Sequence, residues 1–121
     1  MSAYQVDKSR WKTFFETLSR ALVGKRAEVE VASLDLGDQI EAEWLPLIGI
    51  VYDPKDDLVE VALDNVDHLI RAPREVYVDY HVGGLIGLEV VDAAGTHQII
   101  KLKDPIALPA PDRAVSAEAA P

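Results

Sequence analysis

Residues 8–31, KSRWKTFFETLSRALVGKRAEVEV, change their hydrophobic period once, and that change decides the fold. In the first part Trp11, Phe14, Phe15, Leu18, Ala21 and Leu22 recur at helical spacing, which places them on one apolar stripe of a helix predicted over about residues 8–23. Asp7 can cap its first turn, Val6 can staple against Trp11, and Gly24 suits the left-handed residue after its last turn. From Ala27 onward the period falls to two. Ala27, Val29 and Val31 alternate with Glu28 and Glu30, the pattern of a half-exposed strand.

Further alternation follows. Ile40, Ala42 and Trp44 oppose Gln39, Glu41 and Glu43, and Leu36-Gly37-Asp38 can turn the chain between the two strands. Such a hairpin puts Trp44 in the core and gathers Glu28, Glu30, Glu41 and Glu43 on one surface. Their mutual repulsion calls for a basic counter-charge, for which the N-terminal helix is the nearest source. Pro46 is expected to interrupt the ladder and residues 47–52 to begin a new, more deeply buried strand. The Asp53-Pro54-Lys55-Asp56-Asp57 turn returns the chain into residues 58–63, and Asp64-Asn65 turns it again. Short strands are predicted at 68–71, ended by Pro73, and at 75–80, ended by Gly83-Gly84. Residues 85–91 and 96–102 then flank Asp92-Ala93-Ala94-Gly95, with Gly95 in the left-handed position of the turn.

One helix followed by short strands and tight turns predicts an α+β fold, an N-terminal amphipathic helix packed on a small, strongly bent antiparallel β-sheet or barrel, SH3-like or Sm-like. The length of 121 residues fits one globular domain, placed at residues 1–108, with strands from about 27 to 102. Ile106 and Leu108 are its last anchors, and the Ala/Pro-rich residues 109–121 are expected to be a disordered tail.

Charge is split along the chain. Residues 1–26 hold six Lys and Arg against Asp7 and Glu16, a net +4, which leaves −13 for residues 27–121. A field of that sign repels nucleic acid and anionic lipid and favours a basic protein segment or self-association. There is no cysteine, so disulfides and thiolate metal sites are excluded, in keeping with a cytoplasmic location. The apolar run from Trp44 to Tyr52 is too short to span a bilayer.

Candidates for chemistry are few. His68, His81 and His97 are scattered and show no metal-ligand spacing, so no metal or other cofactor is expected. Asp67-His68 places an acid beside an imidazole, but neighbouring strand residues point to opposite faces. Asp53, Asp56 and Asp57 offer oxygen ligands for a hard cation without the glycine and glutamate that close a calcium loop. No glycine motif cradles phosphate, and no serine sits in a nucleophile elbow. Arg71 and Arg74 flank Pro73 and could clamp an anion or, as expected here, pair with neighbouring carboxylates.

The segments Leu34-Asp35-Leu36-Gly37-Asp38-Gln39, Ala42-Glu43-Trp44-Leu45-Pro46-Leu47, Tyr52-Asp53-Pro54-Lys55-Asp56-Asp57 and Asp67-His68-Leu69-Ile70 together resemble a family of short bacterial proteins catalogued only as a domain of unknown function. The likeness runs from about Trp11 to Leu108. It implies a bacterial source and supplies no mechanism and no site residues. The expected function is therefore a non-enzymatic protein-binding or regulatory module using Glu28, Glu30, Glu41 and Glu43. The alternative is a small metal-dependent or acid–base enzyme built on Asp53, Asp56, Asp57 and His68.

Overall fold

A computed structural model of the chain describes residues 2–35 and 37–107; the expected tail at 109–121, Leu36 of the predicted turn and the anchor Leu108 lie outside them. The predicted helix starts as a 3-10 turn, Lys8–Arg10, and continues as α1, Trp11–Leu22. Asp7 caps the turn by accepting from the Ser9 N–H at 3.1 Å. The helical spacing holds: Trp11, Phe15, Leu18 and Leu22 are buried.

Eight strands follow the same logic: β1 (Ser2–Val6), β2 (Arg26–Ser33), β3 (Gly37–Asp53), β4 (Leu58–Leu63), β5 (Val66–Arg71), β6 (Pro73–His81), β7 (Gly84–Asp92) and β8 (His97–Ile106). They form one antiparallel sheet in the order β1-β6-β7-β8-β2-β3-β4-β5. The fold is thus an N-terminal helix packed on an antiparallel sheet. The sheet is not closed, because β1 and β5 end that order, so a barrel is not formed.

Two further expectations need correction. Pro46 does not end a strand: β3 runs through it for 17 residues. The ring sits where β3 changes partner, since Arg26 of β2 pairs with Pro46 while Leu63 of β4 pairs with Leu47. A missing N–H costs little at such a junction. β1 was not anticipated. It lies along β6 with Tyr4 opposite Val78 and Val6 opposite Val76.

Beyond Pro46, the side of β3 that β2 has left is covered by α1. Gly24 N–H donates to the Leu47 carbonyl at 3.3 Å, and Leu47 N–H donates to the Lys25 carbonyl at 2.7 Å. Further along, the Ser19 hydroxyl donates to the Ile50 carbonyl at 2.7 Å and accepts from the Ile50 N–H at 2.8 Å. One side chain on the helix thereby stands in for a neighbouring strand, which backbone groups removed from water require. Ser19→Ala should cost about 1–3 kcal/mol, because both Ile50 groups lose their partner. Urea denaturation followed by circular dichroism checks it, and a change under about 0.5 kcal/mol would contradict the covering role.

The apolar stripe of α1 and the inward residues of all eight strands share one core, from Val6 and Trp11 through Ile50, Val61 and Ile70 to Val90, Ile100 and Ile106. Trp11 and Tyr52 meet edge to face, with ring centroids 5.1 Å apart. Burial, and then a hydrogen bond to Asp57, push the Tyr52 hydroxyl up to about 12.

Candidate functional site

Strand alternation gives the sheet an inner and an outer face. Val29, Val76, Val78, Leu88, Val90 and Ile100 turn into the core. Their neighbours therefore turn outward, and pairing aligns them across four strands. Asp79, Gly87, Lys101 and Glu28 form one row, and Tyr77, Glu89, Ile99 and Glu30 form the next, which ends at Ile40 on β3.

Glu28 and Glu30 do share this face, but their counter-charge comes from β8 and not from the helix. Register puts Lys101 opposite Glu28, and its ammonium lies 3.8 Å from Glu28 and 3.2 Å from Glu30. The two carboxylate side chains are only 13% and 14% exposed. Two basic groups of the helical segment are used elsewhere: Lys8 pairs with Asp57 at 3.4 Å and Lys12 with Glu16 at 2.8 Å. Asp38 stands opposite Ala32, beyond the row of Glu30. Its hydrogen bond to Glu30 pushes the Asp38 carboxyl up and, with Lys101, holds the Glu30 carboxyl below the usual range.

Glu41 and Glu43 are exposed on β3. Ile40 stands opposite Glu30 while Ala42 stands opposite Val29, so β3 carries an extra residue there and simple alternation across the hairpin fails. That irregularity also corrects the placement of Trp44. Trp44 takes a positive φ of 53°, is half-buried, and lies under Lys103, whose ammonium is 5.8 Å from the ring centre.

The middle of the outer face holds a feature that alternation did not reveal. A groove of about 260 Å³ opens at Gly87, between Tyr77, Asp79, Glu89, Ile99 and Lys101, with Ala3 of β1 at its end. A Cβ at Gly87 would stand 2.7 Å from the Ile100 carbonyl oxygen, so no larger residue fills the dent. One Asp79 carboxylate oxygen is buried without a hydrogen-bond partner among the described residues. The Tyr77 hydroxyl donates to Glu75 at 3.1 Å, and that bond pushes its pKa up. Glu89 is in contact with His97. The signal available in the sequence was Gly87 itself, since a lone glycine inside a strand marks a close backbone approach.

The second candidate cluster is used by the fold. Asp53 accepts from the N–H groups of Lys55 at 2.9 Å and Asp56 at 3.4 Å, which makes it the organiser of the turn. Asp57 accepts from the Tyr52 hydroxyl at 2.9 Å. His68 instead reaches β8, where its Nε2 meets Gln98 Oε1 at 3.1 Å; buried Gln98 in turn donates to the Thr96 carbonyl at 3.1 Å and to Asp92 at 3.3 Å. Among the described residues no group of three or more His, Asp or Glu could hold a metal ion. Arg71 and Arg74 are exposed and form no ion pair among the described residues, contrary to the expected internal pairing. No helix among the described residues is long and apolar enough to cross a membrane.

Residues 2–111 match the sequence model of a Family of unknown function (DUF5335). The chain is similar to an uncharacterized protein of Aquifex aeolicus (strain VF5), 40% identical over 110 residues that cover 90% of this chain and 99% of that protein. No solved structure matches.

Proposed function

We propose, for a chain that belongs to the DUF5335 family of unknown function, that it is a non-enzymatic, cytoplasmic binding or regulatory module whose outer sheet face holds a basic protein segment. The observation that carries this reading is the groove at Gly87, apolar along Tyr77 and Ile99, rimmed by Asp79 and Glu89 and joined through Lys101 to Glu28 and Glu30, so that four carboxylates face one cation. Apolar walls take the methylene stem of a Lys or Arg side chain, and the carboxylates take its head. Glu41 and Glu43 extend the negative field along β3 and steer such a segment toward the face. The net −13 of residues 27–121 argues against nucleic acid and anionic membrane as the ligand. An SH3-like or Sm-like relationship belongs to the same reading, supported by the single long strand that serves both halves of the bent sheet. No specific observation favours the enzyme alternative at Asp53, Asp56, Asp57 and His68.

The test is fluorescence anisotropy with a labelled Lys/Arg-rich peptide. Replacing Glu28, Glu30, Glu41 and Glu43 together by Gln should weaken binding roughly tenfold or more, since several favourable charge contacts are lost at once. Replacing Asp53, Asp56, Asp64 and Asp67 by Asn removes the same charge elsewhere and should leave most of the affinity. Equal losses in both variants would mean that only total charge matters, and the reading would fail.

A further inference from the structure

We propose that β5 joins a second copy of this chain edge to edge, across a two-fold axis at Leu69. Among the described residues the strand ends the sheet, pairing with β4 alone. It contains no proline or lysine and no bulge interrupts its pairing, and the two charged residues it exposes, Asp67 and Arg71, are of opposite sign.

The direction of its free backbone groups follows from the turn before it. Asp64-Asn65 is a two-residue turn closed by Leu63 and Val66, and a hairpin of that length closes on a hydrogen-bonded pair. Alternation then makes Val61 with His68 and Val59 with Ile70 the next bonded pairs. The phase is verified at the far end, where Ala72 N–H donates to the Asp57 carbonyl at 3.0 Å. It is verified again on β3, where Ile50, opposite Val61, turns both backbone groups away from β4 toward Ser19. Asp67, Leu69 and Arg71 therefore aim their N–H and C=O groups at the open edge.

The side chains of the same three residues are exposed, Leu69 at 42%. Asp67 and Arg71 lie four positions apart, about 13 Å along one strand, too far to pair with each other. Neither forms an ion pair among the described residues. A two-fold axis at Leu69 meets both needs. It sets Leu69 against the partner's Leu69, Asp67 against the partner's Arg71 and Arg71 against the partner's Asp67. All of these positions exchange backbone hydrogen bonds, and all place their side chains on one face. An apolar contact is then flanked by two opposite-charge cross-strand pairs, which such positions favour. Moving the register by two residues either way sets a charged side chain against Leu69 instead. Charge complementarity thus selects one alignment, and it selects a second copy over a uniformly basic or apolar partner strand.

Sedimentation equilibrium on the full chain tests this, with circular dichroism confirming that the variants fold. Wild type should self-associate. Asp67→Arg and Arg71→Asp should each weaken association roughly tenfold or more, because both ion pairs become repulsions. Mixing the two variants should restore it, since one then presents Arg at both positions and the other Asp at both. A wild type that stays monomeric, association untouched by either substitution, or a mixture that does not recover would overturn the proposal. None of these outcomes bears on the acidic face at Gly87, which is a separate surface.

Discussion

Gly84→Ala should cost about 4 kcal/mol or more, a loss in the range reserved for backbone strain and steric conflict in a domain whose whole stability is of the order of 5–15 kcal/mol. Gly84 opens β7 with φ +123°, where an L side chain is strained, and a Cβ there would stand 2.1 Å from the Ile106 carbonyl oxygen and 2.8 Å from its carbon. Both obstacles are backbone, so no side-chain rotation relieves them. The corner also positions the candidate site. Leu85 pairs with Ile106 while Gly87 pairs with Lys101, a jump in register that accommodates the extra residues of β8 between Lys101, the partner of Glu28 and Glu30, and Ile106. Gly24→Ala separates conformation from contact, because Gly24 also has positive φ, +83°, with nothing within 4 Å of an added Cβ. That control should cost only about 1 kcal/mol. Urea denaturation of both variants gives the comparison, and equal costs would mean that the end of β8 does not press on Gly84.

Trp11→Ala is the second large effect, expected at about 3–5 kcal/mol. Trp11 is 1% exposed, its indole N–H donates to the Val6 carbonyl at 2.9 Å, and its ring packs edge to face on Tyr52. It therefore ties three elements together: β1 through Val6, α1 through its own backbone, and β3 through Tyr52. Truncation leaves a large cavity and an unpaired buried carbonyl at the same point. Trp11→Phe keeps most of the packing and loses the hydrogen bond, which should cost about 1–3 kcal/mol. Thermal unfolding monitored by circular dichroism, and separately by the fluorescence of the remaining Trp44, serves for both. If alanine and phenylalanine destabilise equally, cavity formation is not the dominant cost.

The features that the sequence displays plainly are those set by local periodicity. The stripe from Trp11 to Leu22, the Asp7 cap and the hairpins at Asp64-Asn65 and Gly95 all rest on residues close together in the chain, where propensity and turn chemistry act directly. What went unread depends on partners distant in sequence. Pro46 looks like a strand end until β3 is known to exchange β2 for β4 at that residue. Trp44 looks inward until the extra residue of β3 and its positive φ carry the ring out beneath Lys103. The helix is the nearest source of counter-charge for Glu28 and Glu30 in sequence, whereas Lys101 arrives from a strand more than 70 positions away through the β2–β8 pairing. β1 is a milder case: Tyr4 and Val6 alternate with Ala3 and Gln5, a period-two signal too short to stand out from a loose terminus. Of the candidate site, the carboxylates were legible from alternation; the groove was not, because its floor exists only where β6, β7 and β8 lie side by side.

A residue-resolved titration tests most directly whether the outer face of β6, β7, β8 and β2 holds a basic segment. Heteronuclear NMR spectra of the isotopically labelled full chain are recorded as a Lys/Arg-rich peptide is added at near-physiological salt, where diffuse charge effects beyond about 8 Å are screened. Amide shifts should concentrate at Ala3, Tyr77, Gly87, Ile99 and Lys101 and extend to Glu28 and Glu30. Shifts centred on the Asp53–Asp57 turn or on Asp64 and Asp67, or spread evenly over every acidic residue, would contradict binding at that face.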